Sequence, residues 1–184
     1  MIISYKIHEV SPYINWIYFF HAWGFQPRFA AIANIHGCDV CRASWLTTFP
    51  EEERPKASEA MQLFKEANRM LDLLDKDFEV KTLFKLCEAN SDGDNLILDG
   101  MTFPLLRQQV KKREDTPFLC LSDFIRPVSS GITDIAGAFA STIDADMEGV
   151  YEKDPYKHIL VQTLSDRLAE AGTEKMHEYV RKEA

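Results

Sequence analysis

The chain has 184 residues, 46% of them hydrophobic and 27% charged, with a formal net charge of -8. That length is one domain's worth on a prior of roughly 100–200 residues per domain. The acidic balance excludes a nucleic-acid groove, which needs clustered Lys and Arg to displace counterions.

No stretch approaches the ~20 consecutive apolar residues of a membrane span. The opening Met-Ile-Ile-Ser-Tyr-Lys lacks the apolar core and small-residue cleavage site of a signal peptide. Four cysteines without a secretion signal fit a reducing, cytoplasmic location.

Residues 1–12 read as an extended lead-in, because Pro12 disfavours helix at Ser11. The run Tyr13-Ile14-Asn15-Trp16-Ile17-Tyr18-Phe19-Phe20 places five aromatics and two isoleucines around one amide. It shows neither a 3.6 nor a 2 period and reads as a buried edge of the core. On generic grounds Asn15 is a capping or turn residue within it. Residues 24–56 mix Gly24, Pro27, Gly37, Pro50 and Pro55 with short apolar runs, which predicts loop with local helix.

Pro55 fits a helix start. Ala60, Leu63, Phe64, Ala67, Leu71 and Leu74 then recur at three- and four-residue steps, giving an amphipathic helix of about five turns. Strands are predicted at 80–87 and 96–98, flanking Asn90-Ser91-Asp92-Gly93, where Asp-Gly is a hairpin signal. A helix is predicted over 103–113, its basic run from Arg107 to Arg113 forming a solvated end. Further strands are predicted at 118–124 and 132–142.

Pro155 opens the last helix, where Tyr156, Ile159, Leu160, Thr163, Leu164, Leu168, Ala171, Met176 and Tyr179 make one apolar stripe. Gly172 interrupts it at a cost of about 1 kcal/mol relative to alanine. Long helices flanking a run of strands, without regular alternation, predict an α+β fold. The sheet should be antiparallel and lie between Val80 and Thr142, with both long helices packed on it.

Few motifs carry chemistry. Cys38-Asp39-Val40-Cys41, preceded by His36 and Gly37, is a Cys-x-x-Cys. Two such thiolates can grip zinc, but a structural site needs two more ligands. A redox dithiol and a pair of structural cysteines are the alternatives. Asn90-x-Asp92-x-Asp94 mimics the start of a calcium loop, but the positions that should hold Gly and Glu hold Asn95 and Met101, so the turn reading stands. No Gly-rich phosphate loop follows a strand. His21, His36, His158 and His177 lack a matching nucleophile motif. No catalytic residue and no metal site is expected. Glu170 is, on generic grounds, a solvated helix residue.

In order along the chain, several segments resemble the C-terminal reactivation domain of cobalamin-dependent methionine synthase. The aromatic run 13–20 is similar to its Tyr-Ile-Asp-Trp-x-Pro-Phe-Phe opening. Gln62-Leu63-Phe64-Lys65-Glu66-Ala67-Asn68-Arg69-Met70-Leu71-Asp72 resembles its first long helix, and Ala89-Asn90-Ser91-Asp92-Gly93-Asp94 its Ala-Asn-x-x-Gly-Asp turn. Leu106-Arg107-Gln108-Gln109, Leu119-Cys120-Leu121-Ser122-Asp123-Phe124 and Gly137-Ala138-Phe139-Ala140 follow. Asp166-Arg167-Leu168-Ala169-Glu170-Ala171 and His177-Glu178-Tyr179-Val180-Arg181-Lys182 close the series.

The resemblance implies a module that binds S-adenosylmethionine and presents its methyl group to the cobalt of cobalamin. A flavodoxin-type donor supplies one electron to rescue inactive cob(II)alamin. It implies cofactor-binding roles for Asn15, which stands where the family has an aspartate, and for Glu170, which matches a family glutamate. An amide in place of a carboxylate brings no charge and should weaken ligand binding by about 1–2 kcal/mol. The family's domain continues to an Arg-Pro-Ala-x-Gly-Tyr-Pro segment that supplies a ligand-binding arginine, whereas this sequence ends at Lys182-Glu183-Ala184. Residues 1–184 are therefore expected to be a single, partial activation domain, not a methionine synthase by itself. Its partner would be a cobalamin-binding module. The alternatives are a non-catalytic interaction domain that docks on that module with S-adenosylmethionine binding lost, and a small metal-binding protein using Cys38 and Cys41.

Overall fold

Pro55 and Pro155 stand in the first turns of the two longest helices, where a missing N–H costs nothing. The structure, a computed structural model, describes residues 1–35, 37–110, 113 and 115–183. Its strands are β1 (Ile2–Lys6), β2 (Glu79–Asp92), β3 (Asn95–Leu98), β4 (Met101–Pro104) and β5 (Asp134–Ile143). Its α-helices are α1 (Ile7–Val10), α2 (Trp16–Ala22), α3 (Asp39–Thr47), α4 (Arg54–Leu74) and α5 (Pro155–Glu183). This is the expected α+β class. The opening dozen residues are not uniformly extended: only Ile2–Lys6 is strand, and α1 follows it directly.

The chain divides into two units. The first, Ile2–Leu83 with Ala140–Ala184, holds the helices. Here β1 pairs antiparallel with the start of β2, from Ile2↔Leu83 to Lys6↔Glu79. The core joins the fully buried Val10, Phe19 and Phe20 to Ala60 and Ala67 of α4 and to Leu164 and Leu168 of α5. Helix α4 packs chiefly on α1, α3, α5 and the 3-10 segment Pro27–Asn34, so it meets other helices where a sheet was expected. Helix α5 does lie on strands. A Cβ on Gly172 would stand 2.7 Å from Val80 Cγ1 and 2.6 Å from Ser141 Oγ, so glycine is what permits this approach. The buried face of α5 takes in Leu160, Leu164, Leu168, Ala171 and Met176 of the predicted stripe but is turned from the rest of it. Val161 and Ser165 are inside, while Tyr156 and Ile159 are exposed.

The second unit, Met1 with Phe84–Phe139, is built on hairpins. Strand β2 pairs antiparallel with β3, from Ala89↔Leu98 to Asp92↔Asn95, and β3 with β4, from Asn95↔Pro104 to Leu98↔Met101. Gly93 turns the first hairpin with φ 57°. Asp99 and Gly100 turn the second with φ 47° and 79°, the paired positive values of a tight two-residue loop.

Two expectations fail here. The described part of 103–113 is not helical. Its start is β4, and a segment without regular secondary structure follows. Arg107 explains this: its guanidinium bonds Asp94 Oδ1 at 2.6 and 2.9 Å and both oxygens of Asp123 at 2.7 Å. A residue so anchored on both sides is no solvated helix end. Gln108 N–H also donates to the Leu119 carbonyl at 2.9 Å. Lys111, Lys112 and Glu114, part of the predicted basic end, lie outside the described residues. Segment 118–124 is likewise no strand. Asp123 Oδ2 accepts the Cys120 N–H at 2.8 Å and closes a 3-10 turn, Leu121–Phe124.

Candidate functional site

The aromatic run divides into a 3-10 turn, Ser11–Tyr13, and the seven-residue α2. Asn15 sits between them as the N-cap of α2. Its backbone is extended, at φ -80° and ψ 93°, and its Oδ1 accepts the Ile17 N–H at 3.1 Å. The cap satisfies one of the orphan donors of the first helical turn. Phe19 and Phe20 drive α2 into the core, and Trp16 stands edge-on to Phe64 of α4, 4.7 Å between ring centres. Ile17 and Tyr18 stay exposed.

A cavity of about 560 Å³ opens at this cap. Tyr13, Asn15 and Trp16 line one part, and Arg28, Ala31 and Asn34 of the 27–34 segment another. Three alanines in the sequence Pro27-Arg28-Phe29-Ala30-Ala31-Ile32-Ala33-Asn34 keep that wall low. Arg28 is the cavity's cation. Its Nη2 donates to Glu53 Oε1 at 2.8 Å and its guanidinium lies 5.4 Å from the Phe29 ring centre. Sequence reasoning passed over Arg28, and no periodicity or motif marks it.

Glu170 stands apart from this cavity's lining. It is exposed on α5, and its Oε2 accepts from Arg167 Nη1 at 2.8 Å. Arg167 in turn lies 5.8 Å from the ring centre of Tyr18, three residues beyond Asn15. Through a salt bridge and a cation–π contact Glu170 thus reaches Tyr18 and not Asn15 itself, so the two predicted site residues are not brought together. A smaller hollow of about 240 Å³ lies where α5 meets the N-terminal segment. There the Tyr13 hydroxyl donates to Glu178, and Lys175 Nζ sits 5.0 and 5.5 Å from the rings of Tyr5 and Tyr13. Lys182 and Tyr13, both hydrogen-bonded to Glu178, hold its carboxyl below the usual range.

Cys38 and Cys41 lie elsewhere, at the start of α3, with their Sγ atoms 2.7 Å apart. Among the described residues no three His, Cys, Asp or Glu side chains converge in a way that would hold a metal ion. No described helix is long and apolar enough to cross a membrane.

The fold is that of a methionine synthase reactivation domain. A solved structure described as the MetH reactivation domain bound to AdoHcy matches with a TM-score of 0.75 and 30% sequence identity, over 100% of this chain. This chain spans 55% of the length of that one. The profile of the vitamin B12 dependent methionine synthase activation domain matches residues 6–184. The chain belongs to that family.

Proposed function

We propose that this activation domain supports reductive methylation of cobalamin held by a partner module, with S-adenosylmethionine as methyl donor. The reaction joins one electron, from a flavodoxin-type donor, to transfer of the sulfonium methyl group to cobalt. It leaves S-adenosylhomocysteine. The observation that carries the reading is the cavity at the Asn15 cap in a chain that resembles an AdoHcy-bound domain. Its volume of about 560 Å³ falls inside the range of roughly 300–1,000 Å³ of small-molecule sites.

The residues present fit an amino-acid ligand. Capping engages Asn15 Oδ1 with the Ile17 amide, and a carbonyl oxygen has a second lone pair for a ligand ammonium group. Arg28 offers a guanidinium to the ligand carboxylate, a charge-assisted contact. Glu170 lies outside the cavity's lining, and its charge is paired with Arg167. The protein's share of the chemistry is positioning and exclusion of competing reactions. The cytoplasm, where the electron donor works, is the setting this reading requires.

Calorimetric titration of the protein with S-adenosylmethionine and S-adenosylhomocysteine, with and without a cobalamin-binding module, tests the proposal. Asn15→Asp should tighten binding by about tenfold or less, equivalent to roughly 1.4 kcal/mol. Arg28→Ala should weaken it. If neither variant shifts affinity while circular dichroism reports an intact fold, the cavity is not the ligand site. The domain would then act by docking on the cobalamin module, a role to which the exposed Ile17 and Tyr18 beside the cap are suited.

A further inference from the structure

Cys38 and Cys41 are placed for thiol chemistry. Cys38 is the N-cap of the nine-residue α3, and its Sγ accepts the Cys41 N–H at 3.2 Å. That amide, with the partial positive charge of the helix start, favours a thiolate at Cys38. Arg42, one turn along, lies over the preceding residue. Its Nη2 stands 3.6 Å from where a Cβ of Gly37 would be, and its Nη1 lies 3.7 Å from Asp39 Oδ1. The Cys41 thiol is pushed up, first by its hydrogen bond with Cys38 and then by burial. The two Sγ atoms, 2.7 Å apart, need only a short movement to reach the S–S bond length of about 2.05 Å.

Reach and room are also present. Both thiols are half-buried, whereas Cys87 and Cys120 are buried. Cys41 lines a cavity of about 460 Å³ together with Ile35, Val40, Ser44 and Trp45. With no third described ligand, a tetrahedral metal site is incomplete among the described residues.

We propose that Cys38 and Cys41 form a reversible dithiol–disulfide site that exchanges with a low-molecular-weight disulfide of the glutathione class. The Cys38 thiolate attacks one sulfur of the disulfide, forming a mixed disulfide and expelling one thiolate. That thiolate takes the proton of Cys41. Cys41 Sγ then attacks Cys38 Sγ, closing the intramolecular disulfide and expelling the second thiolate, which is protonated by solvent. The pair is oxidised by two electrons and the small disulfide is reduced to two thiols. The site lies on α3, and although its cavity meets the Asn15 cavity at Asn34, the exchange does not depend on the methyl-transfer reading.

The test is to equilibrate the full chain in graded mixtures of reduced and oxidised glutathione, quench with an alkylating agent and map the cysteines by mass spectrometry. One intramolecular disulfide joining Cys38 to Cys41 is expected, with the two-electron dependence of such a couple, while Cys87 and Cys120 remain alkylated. Cys41→Ser should accumulate one glutathione on Cys38. Cys38→Ser should lower the rate of glutathione capture by about tenfold or more. Cys38→Ala and Cys41→Ala provide the same comparisons if serine disturbs the helix by circular dichroism. Oxidation of Cys87 or Cys120 first, absence of the mixed disulfide in Cys41→Ser, or stoichiometric zinc lost in Cys38→Ser would each overturn the proposal.

Discussion

Gly172→Ala should destabilise the protein, although the same change on an exposed helix would stabilise it by about 1 kcal/mol. The new Cβ would stand 2.6 Å from Ser141 Oγ, 2.7 Å from Val80 Cγ1 and 3.3 Å from Thr82 Cγ2. Val80 and Thr82 are 0% and 1% exposed, so neither has free space to move into. Both are β-branched, and their χ1 angles are stiff. Forcing one methyl group into such packing costs about 1–3 kcal/mol. After the propensity gain, a net loss of about 1 kcal/mol remains, which lowers Tm by about 2–4 °C for a chain of this size. Thermal unfolding followed by circular dichroism measures it. Ser141 Oγ is buried without a hydrogen-bond partner among the described residues, so Ser141→Ala forfeits none. Combined with Gly172→Ala, it should recover part of the loss, a coupling read from the double-mutant cycle. A raised Tm in the Gly172→Ala single variant would show that α5 does not approach the strands this closely.

The other predictions concern Asp123, Arg107 and Asn15. Hydrogen bonds from Arg107, then from the Cys120 amide, hold the Asp123 carboxyl down to about 2. A carboxylate depressed from its unfolded value near about 3.9 contributes stability above that value and loses it as pH falls through its folded value. Protection from hydrogen exchange at residues 118–125, taken relative to the intrinsic rate at each pH, should therefore fall between about pH 4 and pH 2, and Asp123→Asn should remove that dependence. Arg107→Lys should accelerate exchange there at neutral pH, because one ammonium cannot reproduce a fork that spans Asp94 and Asp123. Asn15→Ala should cost about 1 kcal/mol through the lost cap, whereas Asn15→Asp should leave Tm unchanged or slightly raised, since a carboxylate at a helix N-terminus caps and complements the dipole. An unchanged Tm in Asn15→Ala would show that the cap carries no stability.

The long helices were legible in the sequence because their signals are local. Proline sets the first turn, and three- and four-residue steps set the buried face. For α4 that reading picks out Ala60, Leu63, Ala67, Leu71 and Leu74, all buried. The segment 103–124 was not legible, for an equally physical reason. Its conformation depends on Arg107 reaching residues 13 and 16 positions away, Asp94 and Asp123, and no window along the chain contains that information. Asp99-Gly100 differs again. It carries the same dipeptide signal as Asp92-Gly93 and makes a tight turn, so the second hairpin was open to the rule that found the first. The aromatic run hid its helix because α2 is seven residues long, too short for a 3.6-residue period to emerge beside a 3-10 turn.

At Asn15 the demands of the fold and of the cavity meet in one side chain. The fold needs an acceptor at the start of α2, which Asn and Asp both supply through one oxygen. The cavity receives whatever the cap leaves over, which is an amide dipole from asparagine and a full negative charge from aspartate. The exchange of one for the other, which the resemblance to the family places at this position, therefore leaves the backbone path of the aromatic run intact. What it changes is the electrostatic balance of the cavity, where Arg28 becomes the dominant charge. On the proposed function, that balance would favour the carboxylate end of an amino-acid ligand over its ammonium end. Cap and cavity are separable by experiment for that reason: Asn15→Ala perturbs both, Asn15→Asp the cavity alone.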